Sequence, residues 1–361
     1  MDCLGFEKGQ LYDYGCFKLL NLHGSWKEMG RQYGHLGSRQ IHDVLDYLRM
    51  KTDGSPEKAL AVRRKAELVF SRYPQYLRDF LSGEAETSGL DEKELILANA
   101  VEYAEEDFFC SGFAAWGDYA KDKLLYGRNY DACSYIELNK DIFITVFHPD
   151  DGSLATSTIG YAGELYTVNS LNEKGLFIAL NNGMPSAGFD IHFEMDPSTV
   201  DLFSASMRAR DVDDMDEFLR STRSFASFII GVADKNESRS YEWCYDGVER
   251  SDQGKDAGKM IITNHYVNEN WPYPTPDDEH SWDSITRRRN LEKLAGLNKG
   301  QIDARRMMSI MQTPMEEGGP EHVNTRFQLV VEPETLTVWI RIIRACDWTR
   351  LDMGDFLLEK N

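Results

Sequence analysis

The 361-residue sequence predicts an α+β fold in which two antiparallel sheets stack with helices on the outside. Three observations carry this. The first third repeats apolar residues at helical spacing. From Phe108 onward, strand-like runs dominate and are broken by Gly and Asn turns. Two pairs of helical segments then interrupt the strands, so the order is helices, strands, helices, strands, helices, strands.

Element by element, Ser25 to Met50 places Met29, Tyr33, Leu36, Ile41, Val44, Leu45 and Leu48 at helical spacing. Ser25 and Glu28 form a capping-box pattern. Gly30, Gly34 and Gly37 each cost about 1 kcal/mol relative to Ala in a helix, so their spacing predicts close approach of another backbone. Ser55-Pro56-Glu57 opens a second helix running towards Phe80, and Leu90-Asp91 a third reaching about Ala104. Ser111–Ala120 and Leu124–Arg128 read as strands across the turn Lys121-Asp122-Lys123. Ile142–Phe147 reads as a buried strand, and several more lie between Leu154 and Asn182. Thr199–Arg210 and Val212–Ser221 read as helices. Phe225–Val232 with Ser240–Trp243 forms a hairpin, and Lys259–Asn264 a strand. Trp282–Ala295 and Gln301–Gln312 are the last helix pair, and Arg326–Ile343 a final hairpin turning at Pro333. The segment WPYPTP at Trp271–Pro276 reads as a loop, a candidate lid or pocket wall.

Hydrophobic residues make up 42% and aromatics 12%, enough for a sizeable core. A net charge of −20 opposes nucleic-acid and anionic-membrane partners, whose phosphates it would repel. No apolar run reaches the roughly 20 residues that span a bilayer. The start MDCLGFEKGQLYDYG has neither a basic region nor a long apolar stretch, so no signal peptide is expected. Cys3, Cys16, Cys110, Cys133, Cys244 and Cys346 are scattered without a C-x-x-C pair. That pattern predicts thiols kept reduced in the cytoplasm and no structural zinc site. Nothing calls for a metal or organic cofactor, and oligomeric state stays open.

Chemistry concentrates at EEDFFCSGFAAWGDYAKDKLLYGRNYD, Glu105 to Asp131. A lone cysteine is most often a packing residue. A nucleophilic one needs help to become a thiolate, because the free thiol titrates near 8.5. Three helpers are available: a histidine, a cationic arginine, or the cysteine's own α-amine were Cys110 to become N-terminal.

The motif C-S-G-F-A-A-W-G, a turn, then L-L-Y-G-R-N-Y-D resembles the nucleophile hairpin of N-terminal-nucleophile (Ntn) hydrolases. More narrowly it resembles the acyl-CoA:6-aminopenicillanic acid acyltransferase family of linear amide hydrolases, with choloylglycine hydrolases more distant. Four further segments match in order. Leu22 to Gly34 resembles the family's G-x-x-x-E-x-G-x-x-x-G opening, and Leu171-Asn172-Glu173-Lys174-Gly175-Leu176 with Ala179 to Asn182 its N-E-x-G-L strand pair. Thr263-Asn264-His265-Tyr266 resembles its T-N-H motif, and Ser284-Ile285-Thr286-Arg287 its S-x-x-R helix.

The resemblance implies a four-layer αββα sandwich preceded by a helical pro-segment. Residues 1–109 would become a small subunit, and 110–361 the catalytic domain, after cleavage between Phe109 and Cys110. Phe109 stands where the family often has Gly. Cys110 would supply thiolate and α-amine, Arg128 would lower the thiol pKa, and Asp131 would orient the amine. Asn181 would donate to the oxyanion, a contact worth about 2.7–4 kcal/mol. Asn264 would position the amine or the scissile amide, and Arg287 matches the motif arginine. Trp116, Tyr130, Tyr161, Tyr166 and His265 are candidate pocket residues for a small amide or acyl substrate. Hydrolysis and acyl transfer both remain open. Two alternatives stand beside this reading: an unprocessed member that binds an acyl or amide ligand without turnover, and a Cys110–His265 hydrolase without self-cleavage.

Overall fold

The structure is a computed structural model and describes residues 2–52, 55–99, 108–132, 135–166 and 168–359. The long apolar runs of the middle of the chain pair into two sheets. In chain order the strands are β1 (Asp2–Phe6), β2 (Gly9–Asp13), β3 (Lys18–Gly24), β4 (Phe108–Ala115), β5 (Leu125–Ala132), β6 (Ile142–Pro149), β7 (Thr156–Tyr161) and β8 (Asn169–Asn172). They continue with β9 (Phe177–Asn182), β10 (Phe228–Ala233), β11 (Ser238–Cys244), β12 (Gly247–Arg250), β13 (Lys259–Ile262), β14 (Thr325–Glu332), β15 (Thr337–Ile342) and β16 (Cys346–Asp352). The larger sheet runs β1-β2-β3-β6-β7-β8-β9-β10-β11-β12, the smaller β13-β4-β5-β14-β15-β16.

Strands β4, β5, β6 and β9 are buried along their whole length, as expected of strands covered on both faces. One core fills the space between the sheets, with Phe108, Cys110, Ala114, Tyr126 and Tyr130 from the small sheet meeting Phe177 and Ala179 from the large one. Alternation along β4 sends Phe113 and Ala115 the other way, into a second core with Leu291, Ala295, Met307 and Met311. Those four come from helices α8 (Ser284–Leu297) and α9 (Ala304–Met311), numbered after α1 (Trp26–Thr52), α2 (Pro56–Ser71), α3 (Gln75–Ser88), α4 (Glu92–Asn99), α5 (Met184–Ala187), α6 (Ser198–Ser206) and α7 (Val212–Ser221). A last short helix, α10 (Gly354–Leu357), follows β16. Helices α1, α6 and α7 cover the outer face of the large sheet, and α8 and α9 that of the small one. The architecture is the four-layer αββα sandwich.

The N-terminal third departs from the helical expectation. Residues 2–24 form three strands that extend the large sheet, joining through a parallel β3–β6 pair; the other strand pairs described are antiparallel. The run Leu19-Leu20-Asn21-Leu22 is wholly buried, and it is too short for periodicity to separate strand from helix. The single helix expected from Ser55 to Phe80 is two, α2 and α3, because Pro74 cannot continue a helix and disfavours helical backbone at Tyr73. The reach of the third helix to Ala104 lies outside the described residues beyond Asn99, as does Cys133.

The glycines of α1 meet the expected backbone. A Cβ on Gly30 would lie 1.9 Å from the Phe80 carbonyl oxygen, and one on Gly34 2.5 Å from that of Glu84. On the facing helix, Gly83 stands in the same relation to Lys27, at 2.1 Å. Gly37 meets the Phe143 ring instead, at 2.9 Å.

The cysteine expectation needs a correction. Cys16 and Cys346 form a disulfide across 330 residues of sequence, while Cys3, Cys110 and Cys244 are thiols. Local spacing cannot reveal a pair that only the fold brings together. The disulfide also removes the observation behind the reducing-compartment reading. No described helix is long and apolar enough to cross a membrane.

We expect Gly30→Ala to destabilise the protein by about 1–3 kcal/mol through overpacking. Gly296→Ala, on α8 with open space around its Cβ, should stabilise it by up to about 1 kcal/mol. Denaturant midpoints of the two variants should therefore move in opposite directions.

Candidate active site

Cys110 is the third residue of β4 and lies opposite Tyr130 of β5. The strand continues upstream of it: Phe108 pairs with Ala132 and Phe109 with Asp131. The β4 pleat aims Cys110 between the sheets and Phe109 outward, towards α8. Cys110, Arg128, Asp131, Asn181, Asn264 and Arg287 are all fully buried. The structure thus brings together all six residues to which the sequence assigned a catalytic role.

Arg128 lies two residues from Tyr130 on β5 and therefore points the same way. Its Nη2 donates to Cys110 Sγ at 3.1 Å and to the Leu180 carbonyl at 2.5 Å, and its Nη1 donates to Asn181 Oδ1 at 2.5 Å. A guanidinium donor at that distance favours thiolate over thiol. Asn181, on β9 of the facing sheet, turns its Nδ2 to the Thr263 carbonyl at 2.9 Å and to the Cys110 carbonyl at 3.3 Å. Its neighbour Asn182 donates to the Phe108 carbonyl at 3.2 Å.

The backbone N–H of Cys110 donates to Asn264 Oδ1 at 3.1 Å. Asn264 follows β13 and is itself fixed: its Nδ2 donates to the Asn182 carbonyl at 2.8 Å, and its N–H to Ser284 Oγ at 2.7 Å. Arg287, one turn into α8, donates to Asn264 Oδ1 and to the Cys110 carbonyl, each at 2.7 Å. Among the three consecutive arginines it alone enters the site; Arg288 turns to the Ile261 carbonyl and Arg289 to Thr286. Trp282 and Asp283, both with positive φ, aim the Trp282 carbonyl back at Arg287, which donates to it from Nε at 3.1 Å and Nη2 at 3.0 Å. Left-handed backbone is unfavourable for a bulky residue such as Trp, so local strain helps to set this arginine.

Asp131 receives the Thr325 hydroxyl at 2.6 Å and lies 3.5 Å from Arg287 Nη1. Burial raises its pKa despite the pull of Arg287, and burial likewise lowers the pKa of Arg287. Phe109 stacks on Trp282 at 5.3 Å between centroids and meets His322 edge-on at 4.9 Å, with the Arg287 guanidinium 5.3 Å over its ring. Trp282, His322 and Thr325 were not singled out from sequence. They carry no local motif and join the site only through β5–β14 pairing and the turn into α8.

Of the pocket candidates, Tyr130 lies directly across from Cys110, stacked on Phe327 at 4.7 Å and edge-on to Tyr161 at 6.1 Å. Tyr166 is buried in the connection after β7. Trp116 must be withdrawn. It follows the far end of β4, roughly 20 Å along the strand from Cys110, and its indole N–H donates to the Lys255 carbonyl. His265 shares Ser284 Oγ through Nδ1 at 2.7 Å; burial, with Arg288 and Arg287, lowers its pKa to about 4, leaving it neutral. Trp271 and Tyr273 of the Pro-rich loop pack on Tyr266.

No protein-family model matches the sequence, and none of the curated proteins does. Among solved structures, the chain resembles a Caenorhabditis elegans N-acylethanolamine-hydrolyzing acid amidase ortholog, at 18% identity and TM-score 0.47, over 62% of this chain and 93% of that one. It resembles a mutant form of the conjugated bile acid hydrolase from Clostridium perfringens at 14% identity and TM-score 0.45, over 68% and 93%. It also resembles penicillin V acylase from Agrobacterium tumefaciens at 12% identity and TM-score 0.49, over 70% and 88%.

Removing Arg287 should leave the Asp131 carboxyl buried without its cation. We expect Arg287→Met to cost about 3–5 kcal/mol in urea denaturation. Adding Asp131→Asn to it should recover part of that loss, a coupling that independent sites would not show.

Proposed function

We propose that the protein is a self-processing cysteine Ntn hydrolase that cleaves a linear amide, or transfers its acyl group, through a thioester on Cys110. The observation that carries this reading is the Arg128 guanidinium 3.1 Å from a buried Cys110 Sγ, with the N–H of the same cysteine held by Asn264.

In the first reaction, Cys110 Sγ attacks the Phe109 carbonyl carbon. The S–C bond forms, the C–N bond breaks, and the thiol proton passes to the departing nitrogen, which becomes the α-amine of Cys110. Water then hydrolyses the thioester, leaving a Phe109 carboxylate and restoring the Cys110 thiol. Asn264 already holds the nitrogen that is to leave. The small subunit would be residues 1–109 and the large one 110–361.

The same groups serve turnover. The α-amine, an ordinary base near pH 8, takes the thiol proton as Sγ attacks a substrate carbonyl. The Asn181 amide, which points at the Cys110 carbonyl in the uncut chain, donates to the oxyanion. The amine of the substrate leaves, and water or another amine takes the acyl group from Cys110. Asp131, beside the cleavage point on β5, orients the α-amine. Tyr130 and Tyr161 form an aromatic wall near the nucleophile, suited to an apolar acyl or aryl group.

Denatured and reduced, wild-type protein should show two masses, residues 1–109 and 110–361, while Cys110→Ala stays whole. A wild-type chain that stays whole would move the reading to an unprocessed binding protein. In the processed enzyme, Arg128→Met should lower amide turnover by 100-fold or more, about 2.7 kcal/mol of transition-state stabilisation. His265→Ala should keep most of the activity; loss of several orders of magnitude there would instead indicate a Cys110–His265 pair.

A further inference from the structure

A second cluster of chemically capable side chains lies away from Cys110, where the N-terminal strands join β6. His23 of β3 sits level with His148 of β6 in the parallel ladder, so both imidazoles rise from neighbouring positions. Their rings lie face to face, with centroids 4.3 Å apart and planes 5° from parallel. The chain after α10 brings Glu359 to the third side, with Oε2 3.6 Å from His23 Nε2. One ligand atom from each of the three lies within 4.8 Å of the others. Asn21, two residues before His23, bridges the group: its Nδ2 donates to Glu359 Oε2 at 2.6 Å, and its Oδ1 accepts from His148 Nε2 at 2.9 Å, a bond that an ion held by that nitrogen would replace.

We propose that His23, His148 and Glu359 form a binding site for one divalent transition cation of the zinc class. Two imidazoles and a carboxylate are a zinc ligand set that leaves a fourth position for water. All-oxygen cations such as calcium and magnesium suit it poorly. Zinc–ligand bonds of about 2.0–2.2 Å place ligand atoms roughly 3.4 Å apart, so closure needs the two imidazoles to turn out of their parallel stack and converge, a movement of side chains. His148 is buried where the two strands meet. A hydrogen bond with the Phe356 backbone reaches the same ring and would orient it, as outer partners of metal-bound histidines do. The Glu359 side chain is 47% exposed, which gives an ion a route in from solvent. The site uses no cysteine, so the absence of a C-x-x-C pair does not bear on it. An ion here would clamp the C-terminal tail onto the N-terminal strand, independently of the chemistry at Cys110.

The test uses full-length, metal-free, untagged protein carrying Cys3→Ser and Cys110→Ser, so that neither thiol competes. Zinc chloride is titrated by calorimetry, and cobalt(II) is followed by its visible absorption. The expected result is one zinc per chain with micromolar or tighter affinity, and cobalt bands shifted from those of the aqueous ion. His23→Ala and Glu359→Gln should each weaken binding by at least roughly 10-fold. Zinc should raise the melting temperature of the parent and not that of folded Glu359→Gln, a surface change that leaves the core intact. No heat with zinc, or undiminished affinity in both variants, would overturn the site and leave the trio a hydrogen-bonded seam.

Discussion

A guanidinium shut away from water must find acceptors for its N–H groups or impose a large desolvation cost. Arg128 finds acceptors for Nη1 and Nη2, though not, among the described residues, for Nε, across the gap between the two sheets. It is anchored on β5, and its donors reach Asn181 and the Leu180 carbonyl on β9 as well as the cysteine on β4. The sheets therefore cannot slide past one another without exposing a buried cation. The packing around this contact is correspondingly tight. A Cβ on Gly112 or Gly231, in opposite sheets, would collide with the Tyr126 hydroxyl at 2.6 and 2.2 Å. The position of Cys110 Sγ is thus set by the same interaction that sets the distance between the layers.

Arg287 performs a parallel task on the outer side of the small sheet. It ties α8 to the Cys110 carbonyl, to Asn264 and to Asp131. Both faces of β4 are then gripped at the level of one residue, Sγ from within and carbonyl and N–H from the edge and outside. A backbone held at three atoms has little freedom to relax, which would suit the proposed cleavage beside it.

Much of this was legible in the sequence because it was local. The hairpin carrying Cys110, Arg128 and Asp131 is two contiguous strands, and its residues were picked out by their resemblance to a family's nucleophile hairpin. Asn181, Asn264 and Arg287 were reachable because each sits inside a short motif at a strand end or helix start. What escaped was either short or long-range. The strands in residues 2–24 are too brief to show a period, and their partner β6 comes after more than a hundred intervening residues. Trp282, His322 and Thr325 gain their roles from contacts that no local pattern records. Trp116 misled for the opposite reason: it is near Cys110 in sequence, but an extended strand carries proximity in sequence away from proximity in space.

The Cys16–Cys346 disulfide changes what a break at Phe109–Cys110 would mean. The intact chain is topologically a ring with two tails, closed through sulfur, and the proposed break lies within the ring. Opening a ring at one bond does not divide it. The two subunits would remain one covalent molecule, now branched, with fresh ends at 109 and 110 able to part locally while their far portions stay fastened. Dissociation of the small subunit would then answer to reductants and not to proteolysis, so self-cleavage could be complete in a molecule whose unreduced mass differs from that of its precursor only by one added water.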